Sequence, residues 1–380
     1  MSDRLSDKQL LQRAHDLARA GVGLASPNPY VGAVITDAEG LIAGAGTYTY
    51  AGLKHAEILA LEAAGARARG GTLYINLEPH AHRGRTPPCT DALIAAGVRR
   101  VVASMADPNP RVSGRGFEQL RAAGVEVEVG SLEQDAKRLN QGFARYIRHG
   151  VPLVTLKSAM TLDGKIGPEE EAKPERTWIT GEAARAHVQE LRHEHDAILV
   201  GVGTILADDP LLTDRSGGAR RRPLLRVILD SRLRIPLESQ LVRSAKDDPK
   251  DDLLVFCSVP DAAKKTQLEK LGIRVERVSA EAKQQRPDIN AVLRRLGELE
   301  IASVMIEGGS LMNASALSAG IVDKIFFYYA PTILGEGSIS LINNAHVAGV
   351  IQPWQIKNAR LHRFAEDFAI EGYLRDPYAE

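Results

Sequence analysis

Residues 55–89 constrain this chain more than any other stretch. They contain His55-Ala56-Glu57 and, further on, Leu77-Glu78-Pro79-His80-Ala81-His82-Arg83-Gly84-Arg85-Thr86-Pro87-Pro88-Cys89. The Ala- and Leu-rich run from His55 to Ala68 is predicted to be helical, which puts His-x-Glu at a helix start. Thr72 to Leu77 is apolar and β-branched enough to be a strand, the loop 78–88 follows it directly, and Cys89 opens a helix over Thr90 to Ala96. Two helix N-termini and the loop between them therefore carry the reactive side chains, and positive dipole ends converge there.

The rest of the first half alternates in the same way. Gln9 to Ala20 is a helix with Leu10, Leu11, Ala14, Leu17 and Ala18 on one face, broken by Ser26-Pro27-Asn28-Pro29. Strands are expected at Val31–Ile35, Leu41–Ala45, Val101–Ser104 and Val125–Val129, with a helix at Phe117–Ala123. A second unit begins near Val151, with strands at Leu153–Lys157, Ala197–Val202, Leu225–Leu229, Leu253–Cys257, Val304–Ile306 and Phe326–Ala330, and a helix at Thr180–Arg192. Alternation of this kind implies layered α/β sheets. The expected organisation is one domain over residues 1–150 and another over 151–380, a division in keeping with 380 residues.

Composition narrows the function classes. The 48 basic and 48 acidic residues cancel, so no basic excess argues for nucleic acid. No apolar run approaches the roughly 20 residues that span a bilayer, and the start Met1-Ser2-Asp3-Arg4 lacks a signal core. Cys89 and Cys257 are the only cysteines, which is no disulfide framework and suggests a cytoplasmic protein.

A catalytic zinc ion takes three protein ligands and keeps a position open. His55, His80 and Cys89 supply three, with Glu57 as proton carrier, which is the layout of a zinc deaminase. Taken singly, a His-x-Glu is the polar start of a helix and a buried Cys is a small apolar side chain. Their combination in a helix–strand–loop–helix setting is what points to zinc. His82 is the rival ligand to His80. In the second half, Gly201-x-Gly203 lacks the third glycine of a dinucleotide motif, and Arg220 to Arg222 is most simply a solvated loop. Those residues alone predict only an α/β domain with an anion site.

The motifs together resemble the RibD family, bifunctional riboflavin-biosynthesis proteins in which a pyrimidine deaminase is fused to a reductase. In the first half the resemblance rests on Pro27-Asn28-Pro29-x-Val31-Gly32, Gly52-x-x-His55-Ala56-Glu57, Leu77-Glu78-Pro79, Gly84-Arg85-Thr86-Pro87-Pro88-Cys89 and Asp107-Pro108-Asn109-Pro110. In the second it rests on Lys157-Ser-Ala-Met160-Thr-Leu-Asp163-Gly164, Trp178-Ile179-Thr180, Asp196-Ala-Ile-Leu-Val-Gly201-x-Gly203-Thr204, Asp208-Asp209-Pro210-x-Leu212-Thr213-x-Arg215, Asp230-Ser231 and Glu307-Gly308-Gly309. It implies a cytidine-deaminase-like three-layer α/β/α domain followed by a dihydrofolate-reductase-like α/β domain. It implies zinc-dependent deamination of 2,5-diamino-6-ribosylamino-4(3H)-pyrimidinone 5′-phosphate, then reduction of the ribosyl group to ribityl with NADPH. Dinucleotide contacts are implied at Met160, Trp178, Thr204, Asp208 and Ser231, with Gly309, Ser310, Leu311, Met312, Asn313, Ala314 and Ser315 cradling phosphate at a helix start. Substrate contacts are implied at Arg176, Arg192, Leu212, Arg215 and Glu307. Members of the family are commonly oligomeric, so a homo-oligomer is implied too.

This chain departs from the family at three positions. His80 stands where Cys is usual, Tyr48 where His is usual, and Arg176 where a small polar residue is usual. Two imidazoles and one thiolate leave about one more positive charge on Zn²⁺ than two thiolates and one imidazole do. The expectation is a more acidic bound water or an altered metal preference. Two other readings follow from the same residues. One is a reductase whose deaminase half is a weakened relic, and the other is a deaminase acting on a base in RNA, which the neutral charge disfavours.

Overall fold

The computed structural model describes residues 4–50, 54–82, 87–168, 178–248, 250–280, 285–342 and 353–379. Two compact units meet in sequence at His149–Gly150.

In the first unit, Ser6 caps α1 (Asp7–Arg19): its hydroxyl accepts the Gln9 N–H, and the Gln9 side chain accepts the Ser6 N–H. Five strands follow: β1 (Gly32–Thr36), β2 (Ile42–Thr47), β3 (Thr72–Ile75), β4 (Arg100–Ala103) and β5 (Glu126–Val129). Their order is β2-β1-β3-β4-β5, with β1 antiparallel to both its neighbours and β3, β4 and β5 parallel. Leu10, Leu11 and Ala14 of α1 pack on Val34, Tyr74 and Val102, which share one face of the sheet. The other face holds α2 (Ala56–Ala64) at very short range. A Cβ on Gly44 would stand 2.2 Å from the Ala60 carbonyl oxygen, and one on Gly46 2.3 Å from that of Ala56. Only glycine permits that approach, and it fixes the height of α2 above β2. Helices α3 (Cys89–Ala96), α4 (Arg115–Ala122), α5 (Glu133–Leu139) and α6 (Gln141–His149) complete the unit.

The second unit contains a nine-stranded sheet. Its strands are β6 (Leu153–Thr161), β8 (Ala197–Gly201), β9 (Leu225–Leu229), β10 (Leu253–Cys257), β11 (Arg274–Arg277), β12 (Ser303–Ile306), β13 (Lys324–Ala330), β15 (Lys357–Phe364) and β16 (Asp367–Tyr373). A separate two-stranded ribbon pairs β7 (Lys165–Gly167) with β14 (Ile339–Ser340). The sheet order is β11-β10-β9-β8-β12-β6-β13-β16-β15, parallel from β11 through β13 and antiparallel across β13-β16-β15. Successive residues of β8 enter opposite cores: Ala197 and Leu199 join one cluster, Ile198 and Val200 the other. Burial on both faces is why these strands read as unbroken apolar runs. The helices are α7 (Glu182–Glu194), α8 (Val202–Asp208), α9 (Gln240–Asp247), α10 (Ala262–Lys270), α11 (Ile289–Glu298) and α12 (Ser310–Ser318).

The arginine run 220–222 is not the solvated loop expected from its charge. The Arg220 guanidinium donates to the carbonyls of Arg192, His193 and His195 at 3.2, 2.9 and 2.6 Å, and to Asp214 at 3.1 Å. Arg222 donates to the carbonyls of Leu299 and Glu300 at 3.4 and 2.7 Å. Arg220 and Arg222 thus satisfy open carbonyls at the C-termini of α7 and α11, where a cation is also favoured by the dipole. Among the described residues no helix is long and apolar enough to cross a membrane.

Candidate metal centre and reductase cavity

In the first unit His55 is the residue before α2, Glu57 lies in its first turn, and Cys89 opens α3. The loop between β3 and α3 closes on itself through two bonds, the N–H groups of Cys89 and Thr90 donating to the His80 carbonyl at 2.8 and 3.2 Å. Those bonds place His80 beside Cys89 whatever the intervening residues do. The ligand atoms of His55, His80 and Cys89 all lie within 4.8 Å of one another, and His55 Nδ1 is 3.2 Å from Cys89 Sγ.

Two observations test this triad as a cation site. His80 Nδ1 is buried and has no hydrogen-bond partner among the described residues. Burial, with His82 and His55 nearby, lowers the His80 pKa to about 4, so its imidazole is a neutral donor at pH 7. The Cys89 thiol is pushed up by burial and by the Glu57 carboxylate, which also hydrogen-bonds to it, so only a bound cation makes thiolate its resting form. Two imidazole nitrogens and a thiol that a cation would ionise fit a Zn²⁺ ion. His82 is exposed, stacks edge-on to His80 with ring centroids 4.1 Å apart, and is outside the triad.

Tyr48 packs its ring edge-on to His55 at 5.4 Å, and its hydroxyl accepts the Asn28 side-chain N–H at 2.9 Å. Glu78, buried, holds the Asp107-to-Asn109 turn against the His80 loop. Its carboxylate accepts the N–H groups of Asp107, Gly114 and Gly116 at 2.9, 2.8 and 2.7 Å. Burial raises the Asp107 pKa to about 6. Glu78 and Asp107 appear in the sequence as motif residues, but nothing local signals that one pins the other.

The second unit has a cavity of about 1150 Å³. It opens at the carboxyl ends of parallel strands, where α/β sheets bind ligands. Trp178, Thr204, Asp208, Ser231, Gly309, Ser310, Leu311, Met312 and Ser315 line it, as do Arg192, Leu212, Arg215 and Glu307. Met160 is elsewhere, 2% exposed inside β6. Asn313 and Ala314 turn inward from α12, Asn313 donating to the Leu341 carbonyl at 3.0 Å. Arg176 lies outside the described residues. The glycines of the weak Gly201-x-Gly203 signal do line the cavity, and Cβ atoms on Gly201, Gly203 and Gly309 would meet nothing within 4 Å. A long groove with bare backbone and a helix N-terminus in its wall fits a dinucleotide. Sequence reasoning missed Arg234, Gln240 and Arg286 in this wall, since nothing local marks them.

Glu307 follows β12 and Arg192 lies in the last turn of α7. Arg192 donates from Nε and Nη2 to the two Glu307 oxygens at 2.8 and 3.1 Å, and from Nη1 to the Thr213 carbonyl at 2.9 Å. Lys157 Nζ, from β6, stands 3.5 Å from Glu307 Oε2. Burial alone would raise the Glu307 pKa, but Lys157 and Arg192 outweigh it and hold it at about 2. Arg192 is thus bound within the protein, and the Arg215 side chain has no ion-pair partner among the described residues.

Comparison with known proteins agrees with both halves. Residues 5–105 match the cytidine and deoxycytidylate deaminase zinc-binding region, and residues 152–370 match the RibD C-terminal domain. The chain is 43% identical over 375 residues to riboflavin biosynthesis protein RibD of Actinobacillus pleuropneumoniae, which covers 98% of this chain and 96% of that protein. It is 37% identical over 348 residues to the RibD protein of Escherichia coli, covering 89% and 91%. Among solved structures, Acinetobacter baumannii RibD superposes with a TM-score of 0.82 at 35% identity over 97% of this chain and 98% of that one. A deaminase/reductase of Thermotoga maritima gives 0.78 at 34% identity over the same shares.

Proposed function

This chain belongs to the RibD family of riboflavin-biosynthesis proteins, and from that membership we propose how its residues divide the two reactions. It is a bifunctional enzyme, a deaminase and a reductase, using zinc in the first unit and NADPH in the second.

In the deaminase, His55, His80 and Cys89 hold the metal. Zinc, when bound, supplies the Lewis acidity that makes water nucleophilic near neutral pH. Glu57 takes one proton of the attacking water and gives it to the pyrimidine ring nitrogen, then carries the second proton, from the hydroxyl now on the ring carbon, to the amine that leaves as ammonia. Tyr48, edge-on to His55, fixes the Asn28 amide beside the metal site. The observation that carries this reading is the triad itself, three ligand atoms within 4.8 Å beside a buried Glu57. The reductase-only alternative rested on His80 and Tyr48. His80 is a member of the triad and Tyr48 has a partner in Asn28, so neither residue favours a relic.

In the reductase, NADPH provides the hydride for sugar C1. Arg215 binds the substrate phosphate, its planar fork suited to two oxygens. Arg192 holds Glu307 ionised and oriented toward the sugar, while Lys157 steadies the same carboxylate from β6. Trp178, Thr204, Asp208, Ser231 and the start of α12 hold the dinucleotide. The ligand is a small phosphorylated pyrimidine, and a homo-oligomer belongs to the same proposal.

The test feeds purified protein the diamino substrate with NADPH. Ammonia release followed by NADPH oxidation is expected, and a chelator removes the first without the second when deaminated substrate is supplied. NADPH oxidation without ammonia release by zinc-loaded protein would overturn the deaminase assignment.

A further inference from the structure

The reductase reading, on which this inference rests, leaves part of the cavity's charge without a task. Among the described residues its walls carry four arginines, Arg192, Arg215, Arg234 and Arg286, against two carboxylates, Asp208 and Glu307. Arg192 is committed to Glu307 and Thr213. The Arg215 backbone is tied to α7 through Gln189, which places it on the Glu307 side. Arg234 and Arg286 remain. Arg286 has no ion-pair partner among the described residues, and Arg234 has Asp230 at 3.8 Å.

These two arginines come from distant segments that are fastened to one loop. Asp230, fully buried after β9, folds that loop: its Oδ2 accepts the Ile235 N–H at 2.8 Å and its carbonyl accepts the Leu233 N–H at 3.3 Å. The N–H groups of Ser258 and Val259, after β10, donate to the Ser231 carbonyl at 3.3 and 2.9 Å. Segment 285–287 docks on the same place. Ser258 Oγ donates to the Gln285 carbonyl, and Arg232 Nη2 donates to Gln285 Oε1 at 3.3 Å. Ser231, Arg234 and Arg286 therefore share a wall beyond β9 and β10.

That wall is separated from Glu307, beyond β12, by β8 in the sheet order β9-β8-β12, a spacing on the order of 10 Å. Asp230 sits behind it and does not line the cavity. Two guanidinium groups and a hydroxyl, facing a groove away from the hydride-accepting end, suit a phosphate dianion. We propose that Arg234 and Arg286, with Ser231, hold the 2′-phosphate of the dinucleotide and so select NADPH over NADH.

The experiment measures dissociation constants of the full chain for NADPH, NADH, adenosine 2′,5′-bisphosphate and 5′-AMP by titration calorimetry. Wild type should prefer the 2′-phosphorylated member of each pair. Arg234→Gln and Arg286→Gln should each weaken the phosphorylated members about 10-fold or more, since a charge-assisted bond is lost, and leave NADH and 5′-AMP within about 2-fold. An equal loss for NADPH and NADH, or an unchanged preference in both variants, overturns the assignment while leaving the reductase standing. Failure of wild type to bind either dinucleotide overturns both. Arg234 is exposed, so its variant decides the matter even if Arg286→Gln is unstable.

Discussion

Arg192 and Glu307 face each other fork to fork, Nε on Oε1 at 2.8 Å and Nη2 on Oε2 at 3.1 Å, although 115 residues separate them in sequence. The pair joins the last turn of α7 to the end of β12. It is therefore both a brace for the reductase fold and the reason a carboxylate stays charged in its cavity.

Glu307→Gln should destabilise the second unit by about 3 kcal/mol at pH 7, since it leaves Arg192 and Lys157 without their counter-charge. The sign with pH is fixed by the depressed pKa. The folded value is about 2 against an ordinary 4.5, so the stabilisation is complete above 4.5 and is lost as pH falls toward 2. Denaturant midpoints of the two proteins should converge across that window. A constant gap down to pH 2 would contradict it.

His80→Ala should lose stoichiometric zinc, and with it ammonia release, while His82→Ala keeps its metal. Elemental analysis of the purified variants reads this directly. The basis is that His80, not the exposed His82, completes the triad within 4.8 Å. His80→Cys should bind zinc as well, with the extra thiolate lowering the charge on the metal.

Tyr48→Phe removes the acceptor of the Asn28 amide. One neutral hydrogen bond is worth about 1 kcal/mol, so deaminase kcat/KM should fall roughly 5-fold. Zinc content and NADPH oxidation should not change. Loss of zinc in this variant would instead mean that the Tyr48 hydroxyl, through its bond with Asn28, holds the His55 side of the metal site in place.

Asp107→Asn should stabilise the first unit at pH 8. The wild-type carboxyl has its pKa raised to about 6, so ionising it above that pH costs folding energy that an amide does not. Asn keeps an oxygen for the Asn109 N–H that Asp107 accepts at 2.8 Å. The gain, on the order of 1–3 kcal/mol, should shrink as pH falls from 6 toward the ordinary value of 3.8 and vanish below it, where the wild-type group is protonated in both states. Thermal melts across the acid range and at pH 8 measure it.

The sequence was most legible where burial is complete. Strands 225–229 and 253–257 fall where their apolar runs do, because both faces of that sheet are covered. The metal triad was legible because its residue types are few and each sits at a helix start or a Pro-flanked loop. β15 escaped notice because it is an edge strand whose side chains are mostly exposed, so Lys357 to Phe364 shows no alternation. α10 escaped for a related reason, with Leu268 its one buried residue. The Arg220–Arg222 run misled because charge alone does not reveal open carbonyls at a distant helix end. The wall of Arg234 and Arg286 depends on backbone bonds between loops, which leave no trace in local pattern.

The position of β16 has a consequence for biosynthesis. It is the last described strand in the chain, yet it lies between β13 and β15. The five strands of the first unit have all emerged by residue 129. A nascent chain can thus finish its zinc-binding half early, while β13 waits with an open edge until residues 367–373 clear the ribosome. A stop codon ahead of codon 367 would yield a protein whose metal centre is complete and whose reductase sheet is left sticky and half-zipped.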